Sequence, residues 1–177
     1  IDKLYLAVSS TLGASGKCVL LEDGSGNPVV TKDGVTVANA VTLIDPVENM
    51  GATLLKQAAR KTVEEAGDGT TTATILAHSI INEAQKIEGF SEREIKAGIN
   101  SATLKVIKYL EDRAKDVSGE MLKHVATISS NNDEELGDII SSAFNASGKG
   151  GVVTMEISRD EKTSFEVVNG ATLDKPL

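Results

Sequence analysis

Between residues 45 and 115 the chain carries three helical patterns in succession, each with its own start signal, and together they leave room for little besides helix packing. Asp45 stands where an N-cap belongs, Pro46 at the first helical position, and Glu48 is placed for a capping-box return. Val47, Met50, Leu54, Leu55 and Ala58 recur at helical spacing until Gly67, a natural stop. The second pattern runs from about Thr70 to Ile87, with Ile75, Leu76, Ile80, Ile81 and Ala84 on one stripe. Ser91-Glu92-Arg93-Glu94 is a capping box opening the third, which carries Ile95, Ile99, Ala102, Val106 and Leu110. At 1.5 Å per residue each helix is roughly 27–36 Å long. Three such helices, rich in alanine, predict a bundle.

The flanking segments are shorter. Residues 2–12 read as a helix stopped by Gly13 and Gly16. Cys18–Glu22 and Pro28–Thr31 read as a β-hairpin around an Asp-Gly-Ser-Gly-Asn loop. Lys32-Asp33-Gly34 is a further turn, and Val35, Val37 and Val41 suggest an extended or mixed continuation. After Asp116-Val117-Ser118-Gly119 the pattern gives a short helix with Met121, Leu122 and Val125. A polar run over residues 127–133 then caps a helix holding Leu136, Ile139, Ile140, Ala143 and Phe144. Val152–Ile157 and Thr163–Val168 read as strands. The expectation is a mainly α, multi-domain chain with small β elements (α+β), with boundaries at Lys115–Gly119 and at Gly170.

Composition narrows the function classes. Ile, Leu, Val and Phe make up about a quarter of the chain, above the ~20% below which disorder is usual. Lys and Arg number 18 against 26 Asp and Glu, a net charge of −8, so the chain lacks the basic excess that binding nucleic-acid phosphates requires. No apolar run approaches the ~20 residues of a membrane span, and Ile1–Leu6 has neither the basic cluster nor the apolar stretch of a secretory signal. One cysteine, Cys18, cannot make an internal disulfide, and it reads as a small buried hydrophobe. His78 and His124 lack metal-ligand spacing and read as ordinary helix residues. A chain beginning at Ile1 and ending at Pro176-Leu177 reads as a piece of a longer protein, expected in the cytoplasm.

Chemistry is best placed at Ala66-Gly67-Asp68-Gly69-Thr70-Thr71-Thr72-Ala73-Thr74, the junction of two helices. A helix start offers unpaired N–H groups and a positive dipole end to a phosphate. Gly67 and Gly69 permit close backbone approach, three hydroxyls add donors, and Asp68 is a hard oxygen ligand suited to Mg²⁺. The competing reading is plain capping, with Asp68 or Thr70 closing the helix and threonines filling its first turn. Thr11-Leu12-Gly13-Ala14-Ser15-Gly16-Lys17 fails the P-loop pattern, since only two residues separate its glycines and Cys18 replaces the hydroxyl. Read singly, Thr31-Lys32-Asp33-Gly34 is a turn with Asp33 capping.

Taken together, Thr11-Leu12-Gly13, Thr31-Lys32-Asp33-Gly34-Val35, Glu48-Asn49-Met50-Gly51-Ala52, the Gly67–Thr74 run and Thr127-Ile128-Ser129 resemble the group I chaperonins of the Hsp60 type. The resemblance extends over essentially the whole chain, but only to the N-terminal part of such a subunit. It implies that residues 1–115 form the first half of an equatorial ATP-binding domain, 116–169 one arm of an intermediate domain, and 170–177 the start of an apical domain. By the same resemblance Thr11, Leu12, Gly13, Ala14, Lys32, Asp33, Gly34, Asp68, Gly69, Thr70, Thr71, Thr72 and Ile128 bind ATP. Asp33 polarises the attacking water, Asp68 ligates Mg²⁺, and the backbone oxygens of Thr11 and Lys32 hold K⁺. The complete subunit is implied to be an ATPase that folds client proteins in a heptamer-like ring of identical subunits, closed by a co-chaperonin lid. This chain alone is expected to be inactive, because the C-terminal catalytic half is absent. Ala14-Ser15 stand in place of the family's usual Pro-Lys, which bears on Ala14 more than on Gly13. The ending Leu173-Asp174-Lys175-Pro176 departs from the usual continuation and suggests a divergent, phage-encoded member. The alternative is a non-enzymatic assembly module that keeps the fold without ATP turnover.

Overall fold

A computed structural model describes residues 1–13, 15–148, 150–159, 162–168 and 170. Its elements in chain order are α1 (Asp2–Ser9), β1 (Val19–Glu22), β2 (Pro28–Thr31), α2 (Gly34–Ala40), α3 (Pro46–Ala66), α4 (Thr70–Gln85), α5 (Glu92–Arg113), α6 (Glu120–Ser129) and α7 (Glu134–Ser147). They fall into two compact units, Ile1–Leu104 and Lys105–Leu177, and the division lies inside α5.

In the first unit the caps work as written, but the Glu48 carboxylate pairs with Lys3 Nζ at 2.5 Å instead of making the capping-box return. Asp45 Oδ1 accepts from the amides of Val47 and Glu48, both at 2.9 Å, and α3 ends at Gly67, which is left-handed at φ 75°. Ser91 and Glu94 close their box reciprocally: the Glu94 carboxylate accepts from the Ser91 amide and hydroxyl at 2.8 and 2.7 Å, and Ser91 Oγ accepts from the Glu94 amide at 3.4 Å. The core is Leu4 and Val8 of α1, Val37 and Ala38 of α2, and Ala52 and Leu55 of α3. Small side chains at Ala38 and Ala52 let these helices approach closely. The antiparallel hairpin pairs Val19 with Thr31 and Leu21 with Val29. Alternation along β1 turns Val19 and Leu21 toward the core and leaves Leu20 exposed.

Four expectations are corrected here. The first helix stops at Ser9 rather than residue 12, because the hydroxyls of Ser10 and Thr11 donate back to the carbonyls of Ala7 and Val8, each at 2.8 Å, and compete with the helical ladder. Residues 34–40 are helical, since Asp33 caps them and Val37 and Ala38 face the core. Cys18 is exposed, and it precedes β1 rather than belonging to it. Helix α5 buries none of its residues, and α1 takes the third place beside α3 and α4. His78 is a helix residue as expected, and it does more than fill a helix position. It is buried on α4, stacked on Tyr5 with ring centroids 3.9 Å apart, with Nε2 2.7 Å from Asp2 Oδ1.

The second unit is built on the α6–α7 hairpin. Asn131 and Asn132 turn the chain with φ of 57° and 64°, and Asp133 caps α7 by accepting from the Leu136 amide at 2.9 Å. Gly137 lies against Thr127, so closely that a Cβ there would stand 2.8 Å from Thr127 Cα and 2.9 Å from its nitrogen. Lys123 pairs with Asp138 at 2.5 Å, and that hydrogen bond raises the lysine above its ordinary pKa. The two expected strands are not formed: residues 152–157 and 163–168 have no ladder among the described residues, and Met155 and Ile157 are fully exposed. Alternating apolar residues become a strand only with a partner edge and a face to pack on.

Candidate functional site

Three segments of the first unit meet at the start of α4. Gly67 closes α3 and Gly69, at φ 101°, opens α4, so two left-handed glycines hold Asp68 out on the turn between them. Asp68 is exposed, and its Oδ1 accepts from the Gly69 amide at 2.5 Å. Neither Asp68 nor Thr70 caps α4 with its side chain, so plain capping does not account for the motif. The amides of Thr70, Thr71 and Thr72 belong to a first turn, where an α-helix supplies no acceptor, and the regular ladder begins with Ala73 donating to Gly69.

The threonines are not equivalent. Thr70 is 6% exposed, and its hydroxyl is buried without a hydrogen-bond partner among the described residues. Leaving such a group unpaired costs about 1–3 kcal/mol. Thr71 is half-buried and its Oγ1 lies 3.2 Å from Oγ1 of Thr11, which is itself buried at the end of the first helix. Thr72 is exposed. Gly34 closes the third side, since a Cβ there would overlap Thr71 Oγ1.

Asp33 connects this corner to α2. Its carboxylate accepts from the Thr36 hydroxyl at 2.6 Å, the Thr36 amide at 2.9 Å and the Val35 amide at 3.3 Å. Burial pushes the carboxyl up, but those three donors, the Thr36 hydroxyl foremost, outweigh it and hold Asp33 below its ordinary pKa. An ionised, weakly basic carboxylate can orient and polarise a water without removing its proton in the ground state.

The resemblance's other residues are placed more loosely. Leu12 and Gly13 lie in the exposed loop after α1, Gly13 at φ 71°, and Lys32 is exposed beside Asp33. Ala14 lies outside the described residues. Ile128 sits on α6 in the second unit, exposed. Sequence reasoning missed Thr36, whose hydroxyl and amide set the Asp33 carboxylate, and Gly16, which a Cβ would drive into the Thr11 carbonyl. A helix-capping pattern of Asp33 followed three residues later by a hydroxyl was the available signal for the first. Gly16 gave only a turn signal.

No group of three or more His, Cys, Asp or Glu is gathered for a metal among the described residues. A Mg²⁺ held here would therefore rest on Asp68 and on ligand oxygens, which suits an ion that keeps few protein ligands. The orphaned Thr70 hydroxyl, the first-turn amides of α4 and the approach that Gly34 permits form a cradle that fits a phosphate chain.

A profile of the TCP-1/cpn60 chaperonin family matches residues 4–177. Among solved structures, the chain is similar to the chaperonin gp146 from the bacteriophage EL 2 (Pseudomonas aeruginosa), crystallised in the presence of ATP-BeFx. In one crystal form the identity is 35% and the TM-score 0.70, covering 80% of this chain and 25% of that one. In another they are 34% and 0.68, covering 80% and 26%. A group III chaperonin in the open state is 30% identical with a TM-score of 0.65, covering 80% of this chain and 29% of that chain. The chain thus spans about a quarter of the length of the structures it matches.

Proposed function

Because the chain belongs to the TCP-1/cpn60 chaperonin family, we propose that it is the nucleotide-binding part of an ATP-dependent chaperonin subunit. The observation that carries this reading is the meeting of Thr11, Gly34 and Thr71 beside the Gly67–Thr72 turn, with Asp33 and Asp68 on its rim. First-turn amides and the Thr70, Thr71 and Thr72 hydroxyls bind the phosphates. Asp68 holds Mg²⁺, and the main-chain oxygens of Thr11 and Lys32 hold K⁺. The bound Mg²⁺ supplies charge neutralisation on the phosphates. Asp33 orients the attacking water through a carboxylate kept ionised by Thr36 and Val35. Phosphoryl transfer of this kind rests on positioning and electrostatic stabilisation.

At the level of the whole protein, the reading is a ring of identical subunits of the group I, Hsp60 type, heptamer-like, in the cytoplasm of a bacterial or phage-infected host. Nucleotide binding drives the motions that enclose unfolded clients beneath a co-chaperonin lid. Similarity to a phage chaperonin supports a phage-encoded member. In the full-length subunit, Asp68→Ala is expected to abolish Mg²⁺-dependent hydrolysis. Wild-type turnover in that variant would remove the assignment, and a wild-type subunit giving no saturable heat with Mg-ATP would favour the assembly module.

A further inference from the structure

Helix α2 carries Asp33 at one end, and what holds its other end is supplied by α3. With seven residues α2 is far below the length at which a helix is stable alone. Its last carbonyls lack intrahelical donors and carry the negative end of the dipole, yet its own last turn contains no basic residue. Two cations of α3 reach this end, one on its carbonyls and one on a side chain of its last turn. Lys56 Nζ donates to the carbonyls of Val41 and, at 3.4 Å, Asn39. Arg60 donates through Nε and Nη2 to Asn39 Oδ1 at 3.2 and 2.6 Å.

Packing alone does not fix α2 on this side. A cavity of about 170 Å³, lined by Val35, Ala38, Lys56, Arg60 and Thr70 among others, lies between α2, α3 and the start of α4. Val37 and Ala38 anchor the middle of α2 in the core, while a void beside it forfeits dispersion contacts that would resist tilting. The Lys56 ammonium is partly desolvated, and burial first, then the Arg60 charge, lowers its pKa. Its two carbonyl acceptors compensate a charge that would otherwise be costly there. The helix that supplies both cations is also the one that ends at Gly67 and leads into Asp68.

We infer that Lys56 and Arg60 are positioning residues, a two-cation clamp on the C-terminal end of α2 that sets where Asp33 stands relative to the Gly67–Thr72 turn. This rests on the ATPase reading above. Neither residue touches the nucleotide in this account, so the clamp acts on turnover and not on binding.

The experiment uses the full-length subunit and reads two quantities, amide hydrogen exchange of Val37–Ala40 and the kinetics of ATP hydrolysis. Lys56→Met is expected to speed exchange in that last turn about tenfold, with α3 and α4 unchanged. It should lower kcat about tenfold while KM for ATP stays within about twofold, because the displaced group acts on the transition state. Lys56→Arg, which keeps a donor, should restore most of both, and the milder Arg60→Leu should move both in the same direction. Unchanged exchange in both variants overturns the clamp. Faster exchange with unchanged kcat, or kcat and KM failing together with α3 and α4 loosened, overturns the positioning role. A wild-type subunit with no ATP turnover overturns the functional reading and the positioning role with it, while its exchange data still decide whether the clamp exists.

Discussion

Gly34 and Gly137 both mark places where two segments come too close for a side chain, but they differ in what they press against. At Gly34 the neighbour is the rotatable hydroxyl of Thr71, in the corner where Thr11 also arrives. At Gly137 a threonine hydroxyl, that of Thr127, is also nearest, but directly behind it stand the Thr127 Cα and nitrogen, backbone that cannot rotate away. The first glycine makes room for a group that can turn toward a ligand; the second locks a helical hairpin. In one unit close approach falls at the candidate site, and in the other it falls within a helical hairpin.

The sharpest way to break that comparison is the same substitution at both positions. Gly137→Ala must push α6 and α7 apart and is expected to cost about 1–3 kcal/mol, read as a lowered denaturation midpoint. Gly34→Ala displaces Thr71 Oγ1 and loses its contact with Thr11, so it should weaken Mg-ATP binding about tenfold by calorimetry at a stability cost below about 1 kcal/mol. Equal stability losses at the two sites would dissolve the distinction.

Asp33 sharpens it further, since one carboxylate both caps α2 and faces the proposed site. Asp33→Ala should cost about 1 kcal/mol as a lost cap, whereas Asp33→Asn should keep most of the stability and lose turnover. The folded-state pKa of Asp33 is lowered. Its contribution to stability is therefore fully present above the ordinary carboxylate pKa and is lost as pH falls through the lowered value. The acid limb of the stability–pH curve should flatten in Asp33→Asn, and an unchanged limb would show that the carboxylate contributes nothing there. The smallest effect belongs to Ser91→Ala, which opens the capping box of α5 and should cost about 0.5–1 kcal/mol. Fraying confined to residues 92–95 in hydrogen exchange would confirm it.

What was legible in the sequence follows the same division. Asp45-Pro46, Gly67 and Ser91-x-x-Glu94 act within a few residues of themselves, and each does what its pattern indicates. Asp33 was readable as a cap, but the valines after it masked the helix it caps, because β-branched residues weaken helical propensity and only burial of Val37 decides the matter. The strand patterns at 152–157 and 163–168 and the apolar stripe of α5 require partners that local spacing does not supply; among the described residues the two segments form no ladder and α5 buries no side chain fully. The site shows both behaviours. Its glycine and threonine run was plain, while Gly16 against Thr11, Thr36 on Asp33 and the meeting of Thr11 with Thr71, 60 residues apart, exist only in the fold.

The central claim is that the corner formed by Thr11, Asp33–Gly34 and Gly67–Thr72 holds Mg-ATP. Native mass spectrometry of the full-length subunit in Mg-ATP tests it most directly. The account predicts rings retaining one magnesium nucleotide per subunit, with the nucleotide lost in Asp68→Ala. Subunits that carry no nucleotide in the wild type, or that carry it equally in Asp68→Ala, would contradict it.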